Sequence, residues 1–456
     1  MIKVIKKGLE TSVQDYPGRI GTLNQGSPPS GPMDSWSFRL ANVLVQNDPG
    51  APALECQFMG PSLKFENDAV IAITGANMDP KIDGKPISLW ESIKVEKDQV
   101  LEMSFATIGA RSYIAFSGGI DSKPWLGSRS TFHKAGVGGI DGKAIQDGQE
   151  IKINKSKSEI GRKIKNEFIP KFSKDKTWEV EVVKGPNDDW IDDNGHKMFL
   201  NTNWKLQSKS DRTGYRLEGP NWTFTEKATN KGLEHGAEPS NIIDQGYPIG
   251  AINVAGQTPI ILVNDGPSMG GFIVPYTVPS AAFWKLGQAK PGDMLKFKEI
   301  PLEKAQEMRL EQTLICSEKS IAKSDQNFLN ENKKSNIKVD KIKIVDFDKI
   351  NRDKKNRERY KKPKGLERVM TGFADKLTKD KYDFDKKGPS KMKEERTPAK
   401  DDPAFDIMRP GGKNSPYNAD GTKKTKKKEE EKYNTYPKAE EGEKQATPSN
   451  MVPGKP

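Results

Sequence analysis

All eight tryptophans, at 36, 90, 125, 178, 190, 204, 222 and 284, fall in the first two thirds of a 456-residue chain, and this segregation constrains the fold more than any motif does. From Lys319 to Pro456 there are 37 Lys and Arg against 24 Asp and Glu. Of the chain's 75 basic and 63 acidic residues, that leaves 38 and 39 to residues 1–318, so the net +12 comes from the tail. The first segment is near neutral, holds most of the long apolar runs and can bury a core. The second has too little apolar surface to offset the entropy of ordering it, and residues 319–456 are expected to be a mostly disordered, Lys-rich tail. One stretch within it, "GLERVMTGFADKL" (365–377), puts Leu366, Val369, Met370, Phe373 and Leu377 on a single helical stripe suited to docking on the fold or on a partner. Any nucleic-acid contact would have to come from the tail, and none is expected.

Short β-branched runs recur in the first segment between Gly, Pro, Asn and Asp. "AVIAITG" (69–75), "VLEMSFA" (100–106) and "SYIAFSGG" (112–119) read as strands. One helix, 33–47, interrupts them, with Asp34 or Ser35 as its cap and Trp36, Leu40, Val43 and Leu44 at helical spacing. Residues 1–152 thus form a first β-rich domain and 153–176, polar and Lys-rich, a linker or exposed hairpin. Residues 177–300 form a second β-rich domain, and 301–318 a short helix.

Several chemistries lack their residues. The nearest approach to a phosphate loop, "GVGGIDGKA" (136–144), has Val137 for the first glycine and Ala144 for the metal-binding hydroxyl, and "DGPSMGGF" (265–272) has no lysine. His133, His196 and His235 are scattered, and Cys56 and Cys316 make neither a disulfide framework nor a metal site, so no metal is predicted. No Gly-x-Ser-x-Gly elbow nominates a serine nucleophile. With no secretory leader and no run near the roughly 18 apolar residues of a membrane span, a soluble cytoplasmic protein is expected.

What remains is a series of polar clusters in Gly/Pro context: "TSVQDYPGR", "SPPSGPMD", "TGANMD", "LGSRSTF", "SDRTGYRLEGP", "EPSNIIDQGYPIGAI" and "DGPSMGGF". They put Gln14, Asp15, Arg19, Arg129, Asp211, Arg212, Arg216 and Asp265 in loops at strand ends, where sites usually sit. The bland reading is that Asp15, Arg19, Asp211 and Arg212 pair internally and pin loops.

In order and without large gaps over residues 3 to about 316, "TSVQDYPGRIG", "PPSGPMDSWSFRLAN", "LGSRSTF", "SDRTGYRLEGP" and "GGFIVPYTV" resemble the carboxyltransferase A/B subdomain family. That family takes in the carboxyltransferase region of urea carboxylase, allophanate hydrolase subunit 2-like proteins and the C component of bacterial 5-oxoprolinase. "TGANMD", "GLEHGAEPSNIIDQGYPIGAI" and "DGPSMGGFIVPYTVPSAAFWKLGQAKPGD" look most like the urea carboxylase branch. The resemblance implies a mainly β fold of two cyclophilin-like β-barrel subdomains, A (1–152) and B (177–300). It also implies a carboxyltransferase that works with carboxybiotin supplied on a partner carrier. The second carboxyltransferase half, the biotin carboxylase and an Ala-Met-Lys-Met biotin site are missing here, "SKMKEE" (390–395) lacking the pattern. The expected arrangement is therefore a split enzyme whose partners are a companion carboxyltransferase C/D subunit, a biotin carboxylase and a biotin carrier protein, acting on a small urea-like substrate.

Within that reading Asp15, Arg212 and Asp265 are the candidate catalytic residues. Gln14, Arg19, Asn77, Arg129, Asp211, Tyr215, Arg216, Asn241, Ser268, Gly270 and Gly271 are the candidates for holding substrate. Two other functions stay open: a part, like the 5-oxoprolinase C component, of an ATP-dependent lactam hydrolase, and a non-catalytic scaffold whose tail recruits a partner.

Overall fold

Alternation of side chains along the strands decides the layers of the first half. In Ile108–Phe116, Ile114 and Phe116 face one core while Tyr113 and Ala115 face another. In Ala53–Gln57, Leu54 and Cys56 face inward and Glu55 outward, as a period of two requires. The computed structural model describes residues 1–156 and 158–322, and the expected tail, including the 365–377 stripe, lies outside the described residues beyond 322.

Two antiparallel sheets build this half. One runs in the order Glu150–Ile151, Ile2–Lys6, Ser62–Phe65, Val100–Glu102, Lys81–Ile82, Lys85–Pro86, and the other Glu10–Gln14, Ala53–Gln57, Ile108–Phe116, Ala69–Asn77, Ser92–Val95. Val4, Leu63 and Leu101 of the first meet Val13, Leu54, Ile73 and Ile114 of the second in one core. The helix expected over 33–47 runs Ser35–Leu44, with Asp34 as the cap, and lays Phe38, Leu40, Ala41 and Leu44 on the outer face of the second sheet.

The second half is a closed barrel in the order Thr177–Lys184, Tyr276–Thr277, Ala251–Ala255, Thr258–Leu262, Gly214–Glu218, Asn203–Leu206, Met294–Glu299, shut by parallel pairing of the last strand with the first. Its interior is aromatic. Phe199, on the helix Asp193–Asn201, stacks at 4.6 Å on both Tyr276 and Phe297. The two-stranded ribbon Asn241–Gly246 with Met269–Phe272 stands outside the barrel ladder. The mainly β architecture with a β-barrel agrees with the fold expected from the resemblance.

The stretch 153–176 is tied down along its course. Arg162 donates to the carbonyls of Val43 and Leu44 and to Glu318, and Ile164 bridges to Ile321 and is 4% exposed. The two halves also meet directly, through the helix Phe283–Gln288. Trp284 packs edge-on against Trp36 at 5.7 Å, and a Cβ on Gly287 would lie 2.6 Å from the Met33 carbonyl oxygen, so only glycine permits this approach. Gln288 accepts from the amides of Ala110 and Arg111 and donates to the Arg111 carbonyl and to Asp34 Oδ2, so one amide group bonds the central strand of the second sheet and the helix cap together.

Asp34 caps the helix by accepting from the Ser37 amide at 2.9 Å, yet complete burial pushes its carboxyl up from 3.8 to about 6 against the bonds from Ser37 and Gln288. A raised folded-state pKa means the proton binds the folded form more tightly. The contribution is therefore complete below about pH 4 and lost as pH rises through about 6, a span worth about 3 kcal/mol for a shift of some two units. Urea denaturation from pH 4 to 7 should show this loss in the native chain, and Asp34→Asn should lack it.

Candidate functional site

The polar residues singled out in the sequence come together in two places. The first is a buried seam between the halves. Arg212, 6% exposed, donates from Nε to Asp265 Oδ2 at 3.0 Å, from Nη1 to Glu55 Oε1 at 2.7 Å and from Nη2 to the Gly31 carbonyl at 2.7 Å. Burial favours loss of its proton, but the carboxylates of Asp265 and Glu55 outweigh burial, so its pKa lies above the usual arginine value. Glu55 Oε2 accepts from the Met33 amide at 2.8 Å and from Tyr113 Oη at 2.9 Å. Arg111, also buried, holds Tyr215 Oη at 3.0 Å and the Gly287 carbonyl at 2.8 Å.

Gly31 continues the seam into the first half, since its amide donates to Gln14 Oε1 at 3.1 Å. Next in sequence, Asp15 takes the Ser128 and Ser130 hydroxyls on Oδ1, at 2.5 and 2.6 Å, and the Arg129 amide on Oδ2 at 2.7 Å. Arg129 itself turns away to the Ser122 carbonyl. Arg19, 1% exposed, donates from Nη2 to the Ser130 carbonyl and lies 4.9 Å from the centre of the Trp125 ring, while Nε and Nη1 have no partner among the described residues. Burial lowers its pKa despite the nearby Asp15 and Asp265. Gln14, Asp15, Arg19, Arg129, Arg212 and Asp265 thus lie along one seam, where Arg212 bonds Asp265 and Asp15 bonds serine hydroxyls and an amide, while Arg19 Nε and Nη1 and Asp265 Oδ1 have no partner among the described residues.

The second place is a cavity of about 320 Å³ beside the ribbon. In the strand Gly214–Glu218 Tyr215 is buried and Arg216 exposed, and in the loop before it Arg212 is buried while Asp211, like Arg216, lines this cavity. Lys134 and Lys209 also line it, so three cations face one carboxylate. Asp211 Oδ1 accepts from the Thr213 amide at 2.7 Å, and Oδ2 lies 3.7 Å from Lys134 Nζ. Tyr247, Ile260, Leu262, Met269 and Phe272 supply apolar surface. Asn253, 3% exposed, lies in the wall, and its Oδ1 is buried without a partner among the described residues. An orphaned acceptor in a cationic, partly apolar pocket suits an anion that also carries an N–H.

Gly270 and Gly271 line this cavity, and Ser268 lies just before them. Their glycine character has a steric origin: a Cβ on Gly270 would lie 2.6 Å from Tyr247 Cε2, and one on Gly271 3.0 Å from the Ile242 carbonyl oxygen. Asn241 pairs across the ribbon with Phe272 and is not part of the cavity wall, while Asn77 ends its strand in a turn with Asp79. Glu55, Ser128, Ser130, Lys134, Lys209 and Asn253 were not anticipated. Asn253 had a readable signal, a lone amide at alternate spacing in the apolar run "GAINVAG".

Residues 25–299 match the family model for the carboxyltransferase domain, subdomain A and B, and the chain belongs to that family. It is 39% identical over 315 residues to the urea amidolyase of Saccharomyces cerevisiae, covering 68% of this chain and 17% of that protein. It is 32% identical over 317 residues to the C component of 5-oxoprolinase from Escherichia coli, covering 68% of this chain and 95% of that one. The crystal structure of the K. lactis urea amidolyase superposes with a TM-score of 0.66 at 36% identity, over 71% of this chain and 20% of that one. The chain therefore spans less than a fifth of the length of the yeast relative it matches.

Removing Arg212 takes the ion-pair partner from buried Asp265 and leaves Glu55 with Arg111 alone, at 3.6 Å. Arg212→Leu should cost about 3–5 kcal/mol of unfolding free energy. Lys134→Ala, at the exposed pair with Asp211, should stay within about 0.5 kcal/mol. Urea denaturation of both variants checks the contrast.

Proposed function

We propose, from membership of this family, that the chain is the carboxyltransferase subunit of a split, biotin-dependent urea carboxylase-type enzyme. It would move a carboxyl group from carboxybiotin to a urea-like amide nitrogen, with the carboxylase, carrier and companion carboxyltransferase half on other chains. The observation that carries the reading is the ribbon-side cavity, where three cations, an orphaned amide oxygen and an apolar wall match a ureido ring bearing a carboxylate. Carboxybiotin, when bound, supplies the activated carboxyl group.

The chain's own residues have three tasks in that reaction. Arg216, Lys134 and Lys209 hold the anionic carboxyl, and Asn253 Oδ1 accepts an N–H, so that the reacting groups are aligned before the proton moves. Asp211, the carboxylate in the same wall, takes the proton from the attacking nitrogen. Arg212 and Asp265, first expected to be catalytic, act from behind the wall as positioning residues, because the Asp265 amide bonds the Arg212 carbonyl at 2.7 Å and fixes the loop that carries Asp211.

A second reading, a component of an ATP-dependent 5-oxoprolinase, is favoured by the match to almost the full length of the E. coli C component. The two separate in one reconstitution with the partner proteins recovered alongside this chain. Under the first reading, labelled bicarbonate is fixed in the presence of ATP and urea, and a biotinylated protein is among the partners. Asp211→Asn should then lower kcat about 10²-fold, and Arg216→Ala should mainly raise KM. Cleavage of 5-oxoproline with no label fixed and no biotinylated partner would overturn it in favour of the second.

A further inference from the structure

A second cavity, of about 260 Å³, shares no lining residue with the first. It is walled by the start of the helix Ser35–Leu44, by the loop before it, by residues 280–283 and by the helix Leu302–Ile315. Its lining holds two arginines, Arg39 and Arg309, and no carboxylate.

Arg39 is 4% exposed, and its partners are neutral. Nε donates to the Ser35 carbonyl at 3.1 Å, Nη2 donates to Gln312 Oε1 at 2.9 Å, and the guanidinium stacks 4.8 Å from the Tyr16 ring centre. Its Nη1 meets no protein acceptor among the described residues, where Arg39 and Arg309 also form no salt bridge. A cation withdrawn from water with neutral partners has room for an anion's favourable charge. Asn264 and Ser30, both in the wall and both at least nine-tenths buried, add polar capacity. Asn264 spends its Nδ2 on the carbonyls of Ser30, Gly31 and Pro32, which fixes its amide orientation and leaves Oδ1 with no donor. Ser30 Oγ is likewise without a partner. Ile20, Met33, Ile249, Phe283 and the prolines complete an apolar wall.

We propose that this cavity binds a small organic carboxylate that also carries an amide-type N–H. Its carboxylate lies on Arg39 and Arg309, its N–H faces the Asn264 amide oxygen, and its body lies against the proline-rich wall. The site does not depend on the carboxyl-transfer reading, because it uses other residues.

Titration calorimetry of the full chain with N-carbamoylglycine tests it. The ligand should bind, and its uncharged amide, N-carbamoylglycinamide, should bind at least about tenfold more weakly, as should propionate, which lacks the N–H. Arg39→Gln and Arg309→Gln should each weaken binding by about tenfold or more, while Arg216→Ala in the other cavity should leave it unchanged. Arg309 is exposed, so its variant reports on binding even if Arg39→Gln destabilises the fold. No heat of binding, affinity unaltered in Arg309→Gln, or loss of binding in Arg216→Ala would each overturn the proposal.

Discussion

Glu55 receives Arg212 across the junction of the two halves, and the arrangement of the rest follows from satisfying that one buried carboxylate. Its strand presents it outward, beneath the helix Ser35–Leu44, where its own half offers Arg111 as a cation, with Nε 3.6 Å from Oε1. Arg212 reaches it from the barrel side, with Asp265 as second counter-ion, while Tyr113 and the Met33 amide take the remaining oxygen. Such pairs are poor sources of net stability, because desolvation cancels much of the attraction. Their effect here is selective: a rotation or slip of one half would take Arg212 from Glu55 and leave that carboxylate to Arg111 alone, 3.6 Å away. The neighbouring contacts of Gln288 and Asn264 impose the same penalty through backbone groups.

The seam also positions the cavities. The segment 211–216 contributes to both sides, Arg212 and Tyr215 to the buried network and Asp211 and Arg216 to the ribbon-side pocket. The turn 263–267 is pinned by four backbone bonds, from Ser30 to Asn264, Val263 to Thr213, Asp265 to Arg212 and Gly266 to Val263. Asn264 thereby faces the second cavity, while Pro267 and the glycines beyond it line the first. The buried charges thus act as a frame, and the exposed members of the same sequence clusters are free to meet ligands.

How legible this was in the sequence depended on the range of the interaction. Periodicity found the helix at 35–44 and the strand at 69–77, because neighbours along the chain decide those. It missed the helix Asp193–Asn201, whose Gly195 and Asn194 argue against helix. There tertiary packing of Phe199 into the barrel overrides propensity, although the Asp192 cap was available as a cue. The clusters were read as site material, and six of their residues do converge at one seam. Which would be inward could not be read, because Arg212 finds its partner 157 residues away in a run, "ALECQ", that reads as an ordinary buried strand. The period of two within that run, with Glu55 between inward Leu54 and Cys56, was the only local hint.

The match to most of a short protein in one relative and to under a fifth of a long protein in another has a physical basis in the described residues. The barrel closes on itself by pairing Thr177–Lys184 with Met294–Glu299, so its ladder needs no strand from elsewhere. The two sheets of the first half enclose their own core, and the helix Ser35–Leu44 covers the outer face of one of them. The junction between the halves is held by pairs made within these residues, Arg212 with Glu55 and Asp265 and Gln288 with Asp34. A unit whose cores are closed internally, and whose central buried ion pairs Arg212–Glu55 and Arg212–Asp265 lie within it, can fold as a separate polypeptide or as a segment of a larger one. It can then present the same cavities in either setting, because the groups that shape them are held by this seam rather than by whatever lies beyond.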